Sequence, residues 1–406
     1  MQVKPIPGRG PWLLMICAAL IMSITMGARQ STGLFVSSLV QSTGLSLASI
    51  SFALAVGQLI WGVTQPIFGI IADKWGSFQV LVFGALLMAI GMGLTPYATS
   101  EWALTLMLGV ISAAGAGAGS FAILIGATAD QLPQNRRSFA SGFINAGGSL
   151  GQFIFVPLTQ IIIGTFGWVV AMVTLAATSL FTIPLAWTIR GNAELRKTET
   201  AHSSPGMYQQ VIQALRDPSY LYLNLGFFTC GFHVAFLVTH LPGEVALCGH
   251  SAVVSATSIG IIGLFNIAGS LLAGSLGNRY RMKYILAVMY ESRAIMIGLY
   301  LLAPKTEITF YIFAAAMGVT WLATVPPTVG LIGKLFGSRY LATLFGLTIM
   351  IHQVGGFLGA WLGGVAMDHY GNYMWMWYVD IILALLAVIV NLPIREEVVV
   401  TDVRNH

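Results

Sequence analysis

The stretch PWLLMICAALIMSITMGARQSTGLFVSSLV, residues 11–40, is almost entirely apolar, yet it contains one arginine, Arg29. An α-helix needs about 20 apolar residues to cross the hydrocarbon core of a bilayer, and this stretch is long enough. It is also too long for a secretory signal peptide and lacks a small-residue cleavage site, so we expect a retained helix. A permanent charge inside such a helix is costly and calls for a functional explanation.

The composition extends this interpretation to the whole chain. Of the 406 residues, 56% are hydrophobic and 8% are charged, whereas soluble domains carry about 25% charged residues. The apolar runs are continuous and do not alternate, which excludes a β-barrel. The sequence therefore predicts an all-α membrane protein with twelve transmembrane helices, numbered here as spans 1 to 12. The predicted spans are 12–38, 48–71, 77–97, 102–128, 138–163, 168–189, 219–241, 251–275, 283–303, 308–333, 340–366 and 374–393.

The basic residues indicate how these spans are oriented. With the N-terminus inside, 16 of the 19 lysines and arginines fall in inside segments, and Lys305 is the one that falls outside. Both termini are therefore expected in the cytoplasm, in a cell membrane that we expect to be a bacterial inner membrane. The net charge of +5 follows from this bias and gives no sign of nucleic-acid binding. Arg29 and Arg293 remain, and both fall within predicted spans.

The longest polar segment, residues 190–218, separates six spans from six. We expect it to be a cytoplasmic linker with a helix at 207–215, between an N-terminal half, 1–189, and a C-terminal half, 219–406. Short motifs recur in the two halves at nearly one offset: GIIADKWG with GSLGNRYRMK, SGFINAGGSLG with FGLTIMIHQVGGFLG, and FGW with YGN. The sequence thus predicts two parallel six-helix repeats with a substrate site between them, near the middle of the membrane.

The segment GIIADKWGSFQVL, which begins at Gly69, resembles the loop signature of the major facilitator superfamily, G-x-x-x-D-R/K-x-G-R-R/K. Both glycines, the aspartate and the lysine match, while Ser77 and Phe78 stand where the family has a basic pair. The second copy, at 274–283, has Asn278 at the acidic position. The resemblance covers nearly the whole chain and implies the major facilitator fold.

The same resemblance implies a charge latch at this loop. Asp73 would sit at a helix start and pair with arginines of neighbouring cytoplasmic loops, which holds the inner gate closed. The alternative is a solvated turn that obeys only the inside-positive rule, and this is the preferred interpretation for the uncharged Asn278. The expected gating residues are Asp73, Lys74, Arg136 and Arg279.

Three interpretations of Arg29 are open: its side chain reaches the outer headgroups, pairs with an acidic residue, or binds an anionic substrate. We favour the third, because a guanidinium holds a carboxylate by two parallel hydrogen bonds. The segment GARQSTGLFVSSL resembles the first helix of monocarboxylate-type transporters, with Arg29 at the position of their basic residue. GLFNIAGSLLAG resembles their eighth helix, with Asn266 and Ser270 in place of its aspartate and arginine.

Polar side chains in later spans are further candidates. Glu291 and Arg293, two positions apart in span 9, point to different sides of the helix. They belong either to a structural network or to the proton pathway and substrate site. His352 and Gln353 in span 11, and His233 in span 7, either pack within the bundle or face a cavity, where a histidine can exchange protons.

Span 10 contains Pro326 and Pro327, which predict a kink or break beside a cavity. Trp321 and Thr324 precede this point and are candidate cavity residues, with core or lipid packing as the alternative for Trp321. Asp380 in span 12 is expected to form hydrogen bonds at the outer interface. The predicted substrate-binding residues are Arg29, Gln30, Asn145, Asn266, Trp321, Thr324, His352 and Gln353, and the proton-coupling candidates are Glu291, Arg293 and His233.

These observations predict a secondary active transporter that works by alternating access. The expected cargo is a small organic anion, most of all a monocarboxylate, with proton symport as the first choice for coupling and antiport as the second. The resemblance includes oxalate–formate transporters, whose basic residue in helix 11 is replaced here by an uncharged stretch around Thr348. The alternatives are an exporter of amphipathic compounds by proton antiport and a membrane receptor. We expect no enzyme activity, no cofactor, no metal site, and a monomer.

Overall fold

The computed structural model describes residues 10–129, 131, 134–190, 206–277, 279–337 and 341–396. Every element in these ranges is helical. Twelve helices are long and apolar enough to cross a membrane, and each lies on one of the predicted runs. The spans are Pro11–Thr43, Leu47–Ala72, Ser77–Tyr97, Glu101–Ile125, Gly142–Phe166, Trp168–Ile189, Pro218–Leu247, Ala252–Leu276, Met282–Leu302, Glu307–Phe336, Thr343–Tyr370 and Met374–Asn391. A shorter helix, Gly206–Arg216, confirms the helix predicted within the linker.

Local sequence signals set the starts of several spans. Ser46, Ser100 and Thr306 each accept a hydrogen bond from the backbone N–H three residues ahead. Asp217 accepts hydrogen bonds from the backbone N–H groups of Ser219 and Tyr220, and Pro218 follows it in the first helical turn. These side chains satisfy N–H groups that the helix itself leaves free, so each span begins where a capping residue meets an apolar run.

Several spans are interrupted. Span 1 is an α-helix, Pro11–Gln30, followed by a 3-10 turn, Thr32–Phe35, and a second helix, Val36–Thr43. Span 4 contains a π-helical stretch, Thr105–Ser112. Span 10 consists of two helices, which are separated by residues 321–324. At such interruptions, backbone N–H and C=O groups lose their hydrogen bonds within the helix. In membrane proteins, interruptions are tolerated where other protein groups or a water-filled cavity surround them.

The packing of the spans repeats after six. Span 1 packs on span 5 and span 7 on span 11; span 2 packs on span 4 and span 8 on span 10; span 3 packs on span 6 and span 9 on span 12. Contacts between the two sets join span 2 to span 11 and span 5 to span 8. A shift of six spans interchanges these two pairs, as a pseudo-two-fold arrangement requires. The exact division of the chain into halves and linker stays a prediction.

The two sets of spans meet more closely at one face than at the other. We call the face that holds Pro11 and Asn391 the terminal face, and the opposite one the loop face. Near the loop face, Ala48 N donates to Asp368 Oδ2 at 2.9 Å, and a methyl group at Gly364 would overlap Ser51.

Spans 2, 5, 8 and 11 also carry one glycine each near the terminal face. A Cβ on any of these four would meet no described atom within 4 Å: Gly69, Gly142, Gly274 and Gly346. Among the described residues, the two sets therefore touch near the loop face, while the four glycines near the terminal face have space beside them.

Candidate functional site

Arg29 lies in the last turn of the first helix of span 1, just before the interruption. The hydroxyl of Ser31 donates to the carbonyl of Gly27 at 2.8 Å, and that of Thr32 donates to the carbonyl of Arg29 at 2.8 Å. Short polar side chains thus satisfy carbonyl groups at the end of the helix. A cation at the C-terminal end of a helix is also stabilised by the helix dipole.

The Arg29 side chain is half-buried and turned toward span 2. Its guanidinium donates to Gln58 Oε1 and lies 4.3 Å from the centre of the Trp61 ring. Arg29 and Gln58 line a cavity of about 30 Å³, which is room for one or two water molecules. Among the ion pairs of the described residues, none involves Arg29. The structure thus places this charge inside the bundle, beside an amide and an indole.

Gln30 points to a different neighbour. Its amide donates to Gln152 Oε1 in span 5 at 3.4 Å, and Gln152 Nε2 donates to the carbonyl of Ile259 in span 8 at 2.9 Å. Gln30 and Gln152 are both buried. This chain of amides connects spans 1 and 5 to span 8, so it crosses from one set of six spans to the other.

Asn266 forms a second connection between the sets. Its Nδ2 donates to Ser149 Oγ in span 5 at 2.8 Å, and its Oδ1 accepts from the backbone N–H of Leu322 at 2.9 Å. Ser270 Oγ also donates to Oδ1, at 3.3 Å. Asn266 therefore joins span 5 to the interruption of span 10. Asn145 lies one helical turn before Ser149 and is half-buried.

His352 and Gln353 lie where span 11 meets span 2. Gln353 packs on Gly62 of span 2, and its Nε2 lies 3.2 Å from His352 Nδ1. His352 is buried against Phe227, with ring centres 4.8 Å apart, and its Nε2 has no partner among the described residues. Gln58 reaches the same region, because its Cβ and Gln353 Oε1 both lie beside Gly356.

Spans 1, 2, 5, 8 and 11 thus bring charged and amide side chains to the region where the two sets of spans meet. We call this group the polar belt: Arg29, Gln30, Gln58, Gln152, Asn266 and Gln353. Sequence analysis missed Gln58 and Gln152, which contact Arg29 and Gln30. The available signal was a glutamine flanked by mainly apolar residues, as in AVGQLIW and GSLGQFIF.

The interruption of span 10 lies before the two prolines and not at them. Pro326 and Pro327 occupy the first turn of the second helix, Val325–Phe336, where a missing N–H costs no helical hydrogen bond. The expectation that Trp321 and Thr324 line a cavity does not hold in this conformation, because both are fully buried. The interruption of span 10 directs both side chains toward the other helices of the C-terminal set, which buries them.

Arg293 caps this interruption. Its guanidinium donates to the carbonyls of Thr320 and Trp321, the latter at 2.6 Å, and Nε donates to Thr320 Oγ1 at 3.3 Å. The side chain is fully buried. Glu291 is exposed on the outer surface of the bundle, so the prediction that the two residues point to different sides is confirmed. The structure brings neither of them to Arg29.

Replacing Arg293 by leucine should lower the thermal stability of the protein. The change removes the side-chain donor of the buried Thr320 carbonyl and leaves the Trp321 carbonyl only the weak thiol donor of Cys230, and an unsatisfied buried carbonyl costs about 1–3 kcal/mol. We expect a lower melting temperature in detergent, measured by fluorescence, and no change for the matched control Glu291→Gln in the same span. Equal melting temperatures for Arg293→Leu and the wild type would mean that the cap is not needed for the fold.

His233 forms a pair with Asp380, a carboxylate that was expected at the outer interface. Its Nδ1 lies 2.6 Å from Asp380 Oδ2, and both side chains are buried. The prediction of an interfacial position for Asp380 was wrong, because span 12 packs on span 7 and directs the carboxylate into the bundle. Asp380 is therefore a buried partner of a candidate proton-coupling residue.

The structure does not describe the predicted latch. Asp73 lies in the last turn of the helix Leu47–Trp75, so the expectation that it sits at a helix start was wrong. The side chains of Asp73, Lys74 and Arg136, and all of Asn278, lie outside the described residues. Arg279 is exposed, with its guanidinium 5.8 Å from the ring of Tyr280. The gating role of these residues stays a prediction.

Twelve spans in two interlocking sets, with a buried polar belt where the sets meet, form the architecture of a membrane transporter. The family model for the Major Facilitator Superfamily matches residues 14–359. The chain therefore belongs to this superfamily and is a multi-pass membrane protein.

Two kinds of relatives stand out. The chain is 27% identical over 399 residues to monocarboxylate transporter 13 of Rattus norvegicus, covering 97% of this chain and 91% of the relative. It is 25% identical over 371 residues to the oxalate:formate antiporter of Oxalobacter formigenes, covering 89% and 86%. The resemblance to the monocarboxylate and oxalate–formate branch is thereby confirmed.

Solved structures confirm the fold. The xylose transporter XylE from E. coli, in an inward-open conformation, superposes with a TM-score of 0.73 at 14% identity, covering 94% of this chain and 96% of that one. A bacterial homologue of the lysosomal transporter Spinster gives a TM-score of 0.71 at 14% identity, with 95% of each chain covered. At these identities the likeness concerns the fold alone.

Proposed function

We propose that this protein is a secondary active transporter of a small organic anion, a monocarboxylate, which Arg29 binds in the polar belt. The observation that carries the proposal is the half-buried guanidinium of Arg29, which has no carboxylate partner among the described residues. A charge inside the membrane costs about 2.5–3.5 kcal/mol on insertion scales. Binding an anion there would offset part of this cost.

The number of available cations supports a cargo with one negative charge. The guanidinium of Arg293 is fully buried and donates to backbone carbonyls, so Arg29 is the cation of the polar belt. One guanidinium matches one carboxylate through two hydrogen bonds. The names of the relatives include both monocarboxylates and oxalate, and this charge balance favours the former.

The distribution of basic residues supports cytoplasmic termini, in a membrane that we take to be a bacterial inner membrane. The terminal face is then the cytoplasmic face, and we propose that the conformation described above is open to the cytoplasm, since the four glycines near that face have space beside them. Alternating access requires the reverse conformation as well, in which the loop face opens and Gly69, Gly142, Gly274 and Gly346 come into contact. The gradient that drives the cycle is proposed to be one of protons, in symport with the anion.

Uptake of labelled anions into proteoliposomes tests this function. We expect uptake of lactate, pyruvate or formate, increased by an inward proton gradient. The dianion oxalate should be taken up at least about tenfold more slowly, since one uncompensated charge is worth 1.4 kcal/mol or more at a site of low polarity. Faster uptake of oxalate would contradict the charge argument. Uptake of no carboxylate by folded protein would favour the alternative, an exporter of amphipathic compounds.

A further inference from the structure

We infer that His233 and Asp380 form the binding site for the co-transported proton. This inference rests on the proposed function, because a proton site has a role only if anion uptake is driven by protons. The proposed proton site is separate from the anion site at Arg29, because the His233–Asp380 pair lies between spans 7 and 12, within the C-terminal helices.

The geometry of the pair suits a group that gains and loses one proton. His233 Nδ1 and Asp380 Oδ2 are 2.6 Å apart, within ion-pair distance, although their relative orientation does not make a hydrogen bond. Both ring nitrogens and both carboxylate oxygens are buried and have no hydrogen-bond partner among the described residues. A buried polar atom without a partner is rare and needs an explanation. A proton bound at Nε2 or Oδ1 in part of the transport cycle provides one.

The surrounding charges make protonation favourable for anion binding. With neutral His233, the negative charge of Asp380 is balanced within the same helices by Arg293, whose guanidinium bonds to the carbonyl of Trp321. The His233 and Trp321 rings lie 6.4 Å apart, so these groups form one buried cluster. An added proton gives the cluster a net positive charge, which attracts an anion strongly because the surroundings are of low polarity.

A continuous set of contacts leads from this cluster to the polar belt. On span 7, one turn from His233, Cys230 lies 3.4 Å from Thr324 Oγ1, and Gly231 packs against the backbone of His352. His352 in turn contacts Gln353 of the belt. The other charged and titratable groups of this region are Cys230 and His240 on the same span as His233, His352 on span 11, and Tyr290 and Arg293 on span 9.

The step needs no covalent chemistry. A proton from water on the more acidic side binds to the His233–Asp380 pair, which raises the affinity for the anion. The anion in turn raises the affinity for the proton, since such coupling is reciprocal. Both are released on the other side, and the proton returns to water there.

Separating gradient-driven uptake from anion exchange tests the inference. Proteoliposomes of the full chain are loaded either with buffer, under an inward pH gradient, or with unlabelled lactate at equal pH. We expect His233→Gln to reduce gradient-driven uptake by about tenfold or more, because glutamine cannot bind and release a proton as histidine does. Exchange with internal lactate should stay close to that of the wild type, because the anion site is intact. Asp380→Asn should behave in the same way.

The control is His240→Gln, which alters a second buried histidine on the same span, bonded to the carbonyl of Ala360. It should change both activities by the same factor. Undiminished gradient-driven uptake by folded His233→Gln would overturn the inference. If that variant does not fold, Asp380→Glu keeps the charge but moves it, and an unchanged pH dependence of uptake would overturn the inference instead. A wild-type protein that exchanges lactate but ignores the pH gradient also overturns it, whereas one that exchanges no anion contradicts the proposed function itself.

Discussion

Arg29→Gln is expected to reduce the initial rate of monocarboxylate uptake by about a hundredfold, since losing one member of a buried charge pair costs about 2–5 kcal/mol. Glutamine keeps a polar N–H donor at this position, but its side chain is shorter than that of arginine and carries no charge. The helix itself should be unaffected, because the hydroxyls of Ser31 and Thr32 satisfy its free carbonyls. The loss should therefore appear in uptake and exchange alike.

Two further variants make this result specific. Arg29→Lys keeps the charge but loses the planar guanidinium, which binds a carboxylate by two bonds and stacks on Trp61, so we expect an intermediate rate. Arg190→Gln removes an exposed arginine at the end of span 6 and controls for net charge alone in binding experiments. Binding of the anion to detergent-solubilised Arg29→Gln with wild-type affinity would refute the role of Arg29, whatever the uptake rate.

Gly33→Val is expected to reduce uptake by about tenfold or more, because it adds bulk where two spans touch and overpacking costs about 1–3 kcal/mol. A Cβ at Gly33 would overlap the carbonyl oxygen of Val238 in span 7. This contact joins the first set of six spans to the second, near the loop face. The substitution should therefore hinder closure of that face, while the anion site keeps its side chains.

The measurements that check this are the uptake rate and anion binding in detergent. We expect lower uptake with binding largely retained. Gly298→Ala in span 9 is a suitable control, since a Cβ there would meet no described atom within 4 Å. Full uptake by Gly33→Val would show that closure of the loop face does not depend on this contact.

The number and position of the spans were predictable because the signal is local. Twenty consecutive apolar residues identify a membrane helix wherever it packs, and all twelve predicted runs correspond to helices. Side-chain direction was less predictable. Both the lipid-facing and the buried sides of these helices are apolar, so hydropathy gives little indication of which side a polar residue faces. Glu291 and Arg293 show this, since one is exposed and the other buried.

The details of the candidate site depended on partners far away in the sequence. Trp321 was expected to line a cavity, but the interruption of span 10 buries it. Asp380 was expected at the outer membrane interface, but it is buried and contacts His233 on the neighbouring span 7. Gln58 was not predicted because the sequence does not show which neighbouring helix its side chain faces. In each case the deciding contact joins residues whose separation in the sequence carries no information about their distance in space.

The amino-acid sequence by itself determined that this chain crosses a membrane twelve times, that its motifs recur in two halves, and that one arginine lies in the first apolar run. Hydropathy, repeats and charge are properties of segments, and they survive any arrangement of the helices. Only the tertiary structure decided that Arg29 faces Gln58 and Trp61, that Arg293 caps an interrupted helix, and that His233 meets Asp380. These contacts follow from how the spans rotate and pack against one another, because a buried polar group must find its partner on whichever helix lies beside it.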